Sequence, residues 1–238
     1  MHPAMGTMPE TQTYIFQPEH HPAHTYEIDT TGLIYRPPGR ESVAVRWEQI
    51  RYLEDVAGRK VDVVTGDSAI TIPLFYATRD FASLLTAVCA RLVDLHREKI
   101  GVRTFKGHTS YLVQIGIVLA FFAMMAVVGA VHLQRHTMVS LFLLATTLPM
   151  AVYLLRQPHT VTTNDTHLEV RDFTGTRRVD YARIRTLAFD LHGDKHISYL
   201  CLKIHLTDGR KLKMQRLENI VLLYIFIKTR WDAARAQT

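Results

Sequence analysis

Asp190-Leu191-His192-Gly193-Asp194-Lys195-His196 places carboxylates and imidazoles at alternate positions. In an extended segment alternate side chains share a face, so Asp190, His192, Asp194 and His196 could converge on a divalent cation. The same residues also read as a hairpin tip, with Gly193-Asp194 as the turn and the histidines beside it. A repeated segment elsewhere in the chain, Asp55–Lys60, has no histidine. A second cluster, His20-His21-Pro22-Ala23-His24, lies in a proline-containing stretch and reads as a polar segment. The chain has no glycine-rich phosphate loop, no G-x-S-x-G turn, no H-E-x-x-H and no Cys/His zinc spacing. The expectation is a non-enzymatic protein without a resident cofactor or metal. Its two cysteines, Cys89 and Cys201, sit in apolar runs and read as buried free thiols.

The elements that would position these residues come in two similar sets. Val45-Arg46-Trp47-Glu48-Gln49-Ile50-Arg51-Tyr52-Leu53 lies without a gap over Val179-Asp180-Tyr181-Ala182-Arg183-Ile184-Arg185-Thr186-Leu187. Upstream, Leu33-Ile34-Tyr35-Arg36 matches Leu168-Glu169-Val170-Arg171. Such self-similarity reads as a duplicated module. In the first copy, turn signals separate strands over 26–29, 33–36, 42–47, 61–64 and 69–73. An apolar stripe then predicts a helix from about Asp80 to Lys99. In the second copy the predicted strands are 160–163, 168–171, 178–181, 199–206 and 211–215. Its helix runs over Leu217–Ala236 and is apolar nearly all round at Ile220–Ile227. That pattern predicts either burial on two sides or contact with a membrane or partner. Trp47 and Tyr181 are expected to pack against their own closing helices.

Between the copies, residues 111–155 form a largely apolar block with no charged residue outside the connector Gln134-Arg135-His136-Thr137. The run 111–133 is long enough for a membrane-spanning helix, and 138–155 is at the short end of that range. The expectation is a transmembrane hairpin, with 1–24 a disordered tail, 25–106 the first module and 158–238 the second. Arg91, Arg97, Lys99, Arg103, Lys106 and Arg156 flank the block, against Arg135 alone in its connector. The positive-inside bias then puts both termini in the cytoplasm.

Short strands in a curved antiparallel sheet, closed by a C-terminal helix and built around the Trp47/Tyr181 repeat, resemble the bacterial pleckstrin-homology-like (PH-like) membrane proteins. The resemblance implies an α+β fold with membrane helices, two PH-like domains flanking the hairpin, and an inner-membrane location. The short turns Thr30-Thr31-Gly32 and Asn164-Asp165-Thr166 carry no cation, so the phosphoinositide site of that superfold does not transfer.

Charge narrows the partners. Residues 1–110 carry 12 Lys+Arg and 13 Asp+Glu, and residues 158–238 carry 14 and 9. The second flank is the basic one, which favours anionic lipid headgroups. No aromatic-interleaved basic stripe points to nucleic acid. The expected function is an interaction or scaffold module for a protein partner, self-association or headgroups. The alternatives are an accessory subunit of a membrane transport or assembly complex, and a metal-dependent enzyme acting on lipid or envelope intermediates through Asp190, His192, Asp194 and His196.

Overall fold

The computed structural model describes residues 11–16, 23–56, 59–66, 70–96, 101–107, 109–132, 145, 149, 151–193 and 198–236. They form a β-rich fold of four small antiparallel sheets, arranged as two successive units with the same element order. The first unit opens with a four-stranded sheet, β1 (Thr11–Phe16), β2 (His24–Asp29), β3 (Gly32–Arg36) and β4 (Val43–Arg46), in that spatial order. One 3-10 turn at Trp47–Gln49 leads into a three-stranded sheet, β5 (Ile50–Val56), β6 (Lys60–Thr65) and β7 (Thr71–Phe75). Helix α1 (Phe81–His96) closes the unit. The second unit repeats this with β8 (Arg103–Lys106), β9 (Thr160–Thr163), β10 (His167–Asp172) and β11 (Gly175–Asp180). A 3-10 turn at Tyr181–Arg183 follows, then β12 (Ile184–Gly193), β13 (Ser198–Leu206), β14 (Lys211–Gln215) and the closing helix α3 (Ile220–Ala236).

The repeat extends to individual bonds. Trp47 N–H donates to the Thr31 carbonyl at 3.3 Å, and Tyr181 N–H donates to the Thr166 carbonyl at 3.4 Å. Trp47 Nε1 donates to the Asp29 carbonyl at 3.2 Å, and the Tyr181 hydroxyl donates to the Asn164 carbonyl at 3.0 Å. Each ring is buried (4 % and 1 % exposed) and ties a hairpin turn to the joint between its two sheets. The register slips at the same place in both units, between Ile50 and Tyr52 and between Ile184 and Thr186. An extra residue there bends the strand into the second sheet. Gly32 is required by close approach, because a Cβ would lie 2.2 Å from the Val45 carbonyl oxygen.

The closing helices interlock the units. Helix α1 packs on β7 and the first 3-10 turn, but also on β12 of the second unit; α3 packs on β12, β13 and the second 3-10 turn, but also on β5 of the first. The helices touch each other, and one apolar core runs through both units. This answers the choice the sequence left open for Ile220–Ile227. Its residues except Leu222 are buried because α3 is covered on one side by its own sheet and on the other by the first unit.

Two parts of the sequence reading are corrected. Among the described residues no helix is long and apolar enough to cross a membrane. This overturns the transmembrane hairpin at 111–133 and 138–155, the multi-pass cell-membrane location with cytoplasmic termini, and the α+β fold with membrane helices. It also removes the resemblance to PH-like membrane proteins that was framed around that hairpin. The expectation came from scoring length and lack of charge in the sequence alone. Helix α2 (Thr109–His132) exists, whereas most of 138–155 lies outside the described residues. Strand β8, before this block, pairs with β9 after it, with Arg103 opposite Thr163 and Lys106 opposite Thr160. The apolar block is therefore inserted between two neighbouring strands of the second unit.

The second correction concerns the N-terminal tail. Thr11–Phe16 is a strand paired with β2 from Thr11↔Asp29 to Phe16↔His24. Prolines on both sides of this segment drew the reading toward disorder, while its partner strand supplies the pairing that no local signal reveals.

Candidate anion-binding cleft

Strand β14 reads Lys-Leu-Lys-Met-Gln, and its alternation turns Met214 into the core and Lys211 and Lys213 outward. It is the end strand of its sheet. Lys213 stands opposite Lys203 on β13, a like-charge pairing that costs stability unless compensated. Asp190 on β12 supplies the compensation through an ion pair with Lys203. Lys211 and Lys213 instead face a cleft of about 460 Å³, shared with Arg177 from β11 and Arg156 from the segment entering β9. Val152, Tyr153, Val170 and Leu212 supply its apolar walls.

Arg177 is held by a buried carboxylate. The Asp172 side chain is 1 % exposed and pairs with Arg177. Its Oδ1 accepts Thr174 N–H at 2.8 Å, the Thr174 hydroxyl at 2.6 Å and Gly175 N–H at 3.0 Å. Burial pushes this carboxyl up, but the bonds from the Thr174 hydroxyl, Arg177 and Thr174 N–H outweigh it and bring it to about 2. Asp172 thus stays ionised and cancels one of the four cations. Among the described residues no ion pair engages Arg156, Lys211 or Lys213, so the cleft carries a net charge of +3. Gln157 lines it at 8 % exposure and accepts a 3.0 Å bond from Gln215 Nε2. Cations gathered on one concave wall reinforce one another's field.

The residues singled out from sequence fare differently. Asp190 and His192 do meet, at 3.0 Å between Oδ2 and Nδ1, but the same Asp190 oxygen also pairs with Lys203. A cation binding there would have to displace the ammonium. Asp194 and His196 lie outside the described residues, and no group of three metal-ligating side chains occurs among those described. His20 and His21 are also outside. His24 sits on β2, its Nδ1 2.7 Å from the Tyr35 hydroxyl, and burial pulls its pKa down. Both cysteines are buried, and burial raises both thiols, Cys201 to about 11. They are protonated and unreactive at neutral pH. Lys211, Lys213, Arg156 and Arg177 were not singled out together. Their signal was present in the excess charge of the second flank, but only the fold brings three separate segments to one cleft.

The equivalent strand positions of the first unit carry rings. Register puts Tyr26, Tyr35, Pro73 and Phe75 where the second unit has Val161, Val170, Lys213 and Gln215. Tyr26 and Tyr35 stack at 5.2 Å between ring centres, Phe75 meets His24 edge-on at 5.3 Å, and the Tyr26 hydroxyl donates to the Pro73 carbonyl at 2.8 Å. A separate hollow of about 550 Å³, beside β1 and the turn before α1, carries one cation and one carboxylate, Arg79 and Asp80. Comparison with known proteins finds no family model that matches the chain and no similar curated protein.

Proposed function

We propose that this chain is a non-enzymatic interaction module that captures anionic, phosphate-bearing headgroups through the cleft of its second unit. The observation that carries this reading is the net +3 charge on a concave surface whose cations, apart from Arg177, make no direct ion pair among the described residues, Asp190 reaching Lys213 only through a longer-range attraction. Charge placed this way favours an anion over a neutral ligand and makes binding sensitive to salt. The apolar walls give the cleft a means of holding the part of the ligand next to its charge. Capturing a headgroup needs no membrane-spanning helix.

The test uses the full chain with vesicles of phosphatidylcholine, with or without phosphatidylglycerol. Sedimentation should show binding to the anionic vesicles, weakened by 0.5 M salt and by the double substitution K211E/K213E. Equal binding to neutral vesicles, or indifference to the double substitution, overturns the proposal.

A further inference from the structure

We infer that the cleft takes a phosphomonoester on a compact apolar body, and that this body lies beside Val170, where the first unit has the ring of Tyr35. The inference rests on the anion-binding reading above and specifies its ligand. The two units supply the argument, because their registers can be superposed strand by strand.

Tyr26 stands opposite Tyr35, and Val161 stands opposite Val170, at equivalent positions. Lys60 stands opposite Phe75, and Cys201 opposite Gln215. In the first unit the rings of Tyr26, Tyr35, His24 and Phe75 pack together over the end strand β7. In the second, both tyrosines are buried valines and the phenylalanine is a buried glutamine, while the histidine is kept as His159, which packs on Phe173 at 4.7 Å between ring centres. The rim changes with it: Val43, Thr71 and Pro73 become Arg177, Lys211 and Lys213. One scaffold thus closes this place with its own rings in one copy. In the other, smaller side chains fill it, and a cleft of about 460 Å³ with cations at its edge opens beside Val170, the position of Tyr35. That volume lies in the ordinary range for small-molecule sites.

The head of the ligand follows from charge and geometry. A phosphomonoester carries nearly two negative charges at pH 7, a match for the net +3 rim. Two guanidinium groups offer planar forks for its oxygens, and two ammonium groups act as point charges. The body follows from the volume and the walls: one or two rings, or a short alkyl chain of similar bulk, against Val152, Tyr153 and Leu212. Such a ligand is either a soluble aryl phosphate or the phosphate end of a lipid, and both present the same chemistry to the cleft.

Calorimetric titration of the full chain tests this with 1-naphthyl phosphate, 1-naphthol, inorganic phosphate and dihexanoyl phosphatidic acid. At least one of the two phosphate esters should bind ten times more tightly than inorganic phosphate and 1-naphthol. The tighter ester identifies the source, aryl or acyl. K211E/K213E should weaken it at least tenfold. V170Y, which restores the first unit's ring, should weaken the ester while leaving the response to inorganic phosphate unchanged. If V170Y fails to fold by circular dichroism, the exposed-lysine variant decides. Esters no tighter than inorganic phosphate, with anionic vesicles still bound, overturn this inference and leave the headgroup reading standing. Loss of vesicle binding as well removes both.

Discussion

The two units share their order of strands, 3-10 turn and closing helix, yet they differ in what stands beside the joint between their sheets. In the first unit Tyr26 is fully buried, stacked on Tyr35 and bonded to the carbonyl of Pro73. In the second, valines occupy both ring positions and cations stand at the rim. What both keep is the aromatic at the sheet joint, with its paired bonds to the preceding turn. The joint belongs to the fold and tolerates little change. The space beside it can be filled, emptied or charged without altering the strand order.

The largest effect tests whether the joints are equivalent and the units inseparable. Trp47→Ala and Tyr181→Ala each remove a buried aromatic and its hydrogen bond, a change that typically costs about 3–5 kcal/mol. Because α1 packs on β12 and α3 on β5, loss of either unit strips a neighbour from the other. Each variant should unfold both units in one transition. The tryptophans give a reporter in each: Trp47 in the first, and Trp231, whose Nε1 donates to the Ile184 carbonyl at 2.9 Å, in the second. Urea curves followed in W231F and in W47F backgrounds should show unfolding of the two units with the same slope, each with its fluorescence and circular-dichroism curves coincident. A first unit that melts with the second intact would break the interlock.

A smaller effect separates two turns with the same hydrogen-bond pattern. Asp29 Oδ1 accepts Thr31 N–H, the Thr31 hydroxyl and Gly32 N–H at 2.7–2.8 Å, as Asp172 does from Thr174 and Gly175. Only Asp172 is buried and joined to an arginine. Asp172→Ala should cost about 1.5–3 kcal/mol, the range for hydrogen bonds to a charged group, and Asp29→Ala less. The folded-state pKa of Asp172 lies below its ordinary 3.8, at about 2. Its contribution is therefore fully present above about pH 5 and is lost as pH falls through 2. Thermal melts at pH 6, 4 and 2.5 should show the gap between the native chain and Asp172→Ala shrinking toward acid. A gap that is constant with pH would show that Asp172 acts through packing and not through its charge.

How much of this was legible in the sequence depends on the range of the signal. The stripe Phe81-Leu84-Leu85-Val88-Leu92 encodes its helix locally, and α1 spans Phe81–His96. The repeat around Trp47 and Tyr181 was visible because the joint constrains nine consecutive residues. Strands β1, β5, β8 and β12 were missed: β1 and β8 are short and gain their definition from β2 or β9 across an intervening segment, and β5 and β12 gain theirs from pairing with β6 and β13. The membrane span was misread because the absence of charge says nothing about where a segment is inserted. Of the cleft, only its surplus of positive charge could be read. Lys211 and Lys213 signal an end strand from their alternation, but their meeting with Arg156 and Arg177 is a property of the fold.

The smallest effect asks what holds the first unit closed. Tyr26→Phe keeps the ring, the stack on Tyr35 and the buried volume, and deletes only the donor to Pro73. An unsatisfied carbonyl next to a buried ring costs on the order of 1 kcal/mol, so chemical denaturation should show a midpoint shift of that size with an unchanged slope. Binding of 1-naphthyl phosphate should be unaffected, because the donor lies in the unit that has no cationic rim. The second unit has no equivalent bond to lose, since Val161 stands where Tyr26 does. A neutral Tyr26→Phe would mean that ring packing alone closes the first unit. A variant that instead changed ligand affinity would place the site in the aromatic cluster, and the division of labour between the two units would have to be reversed.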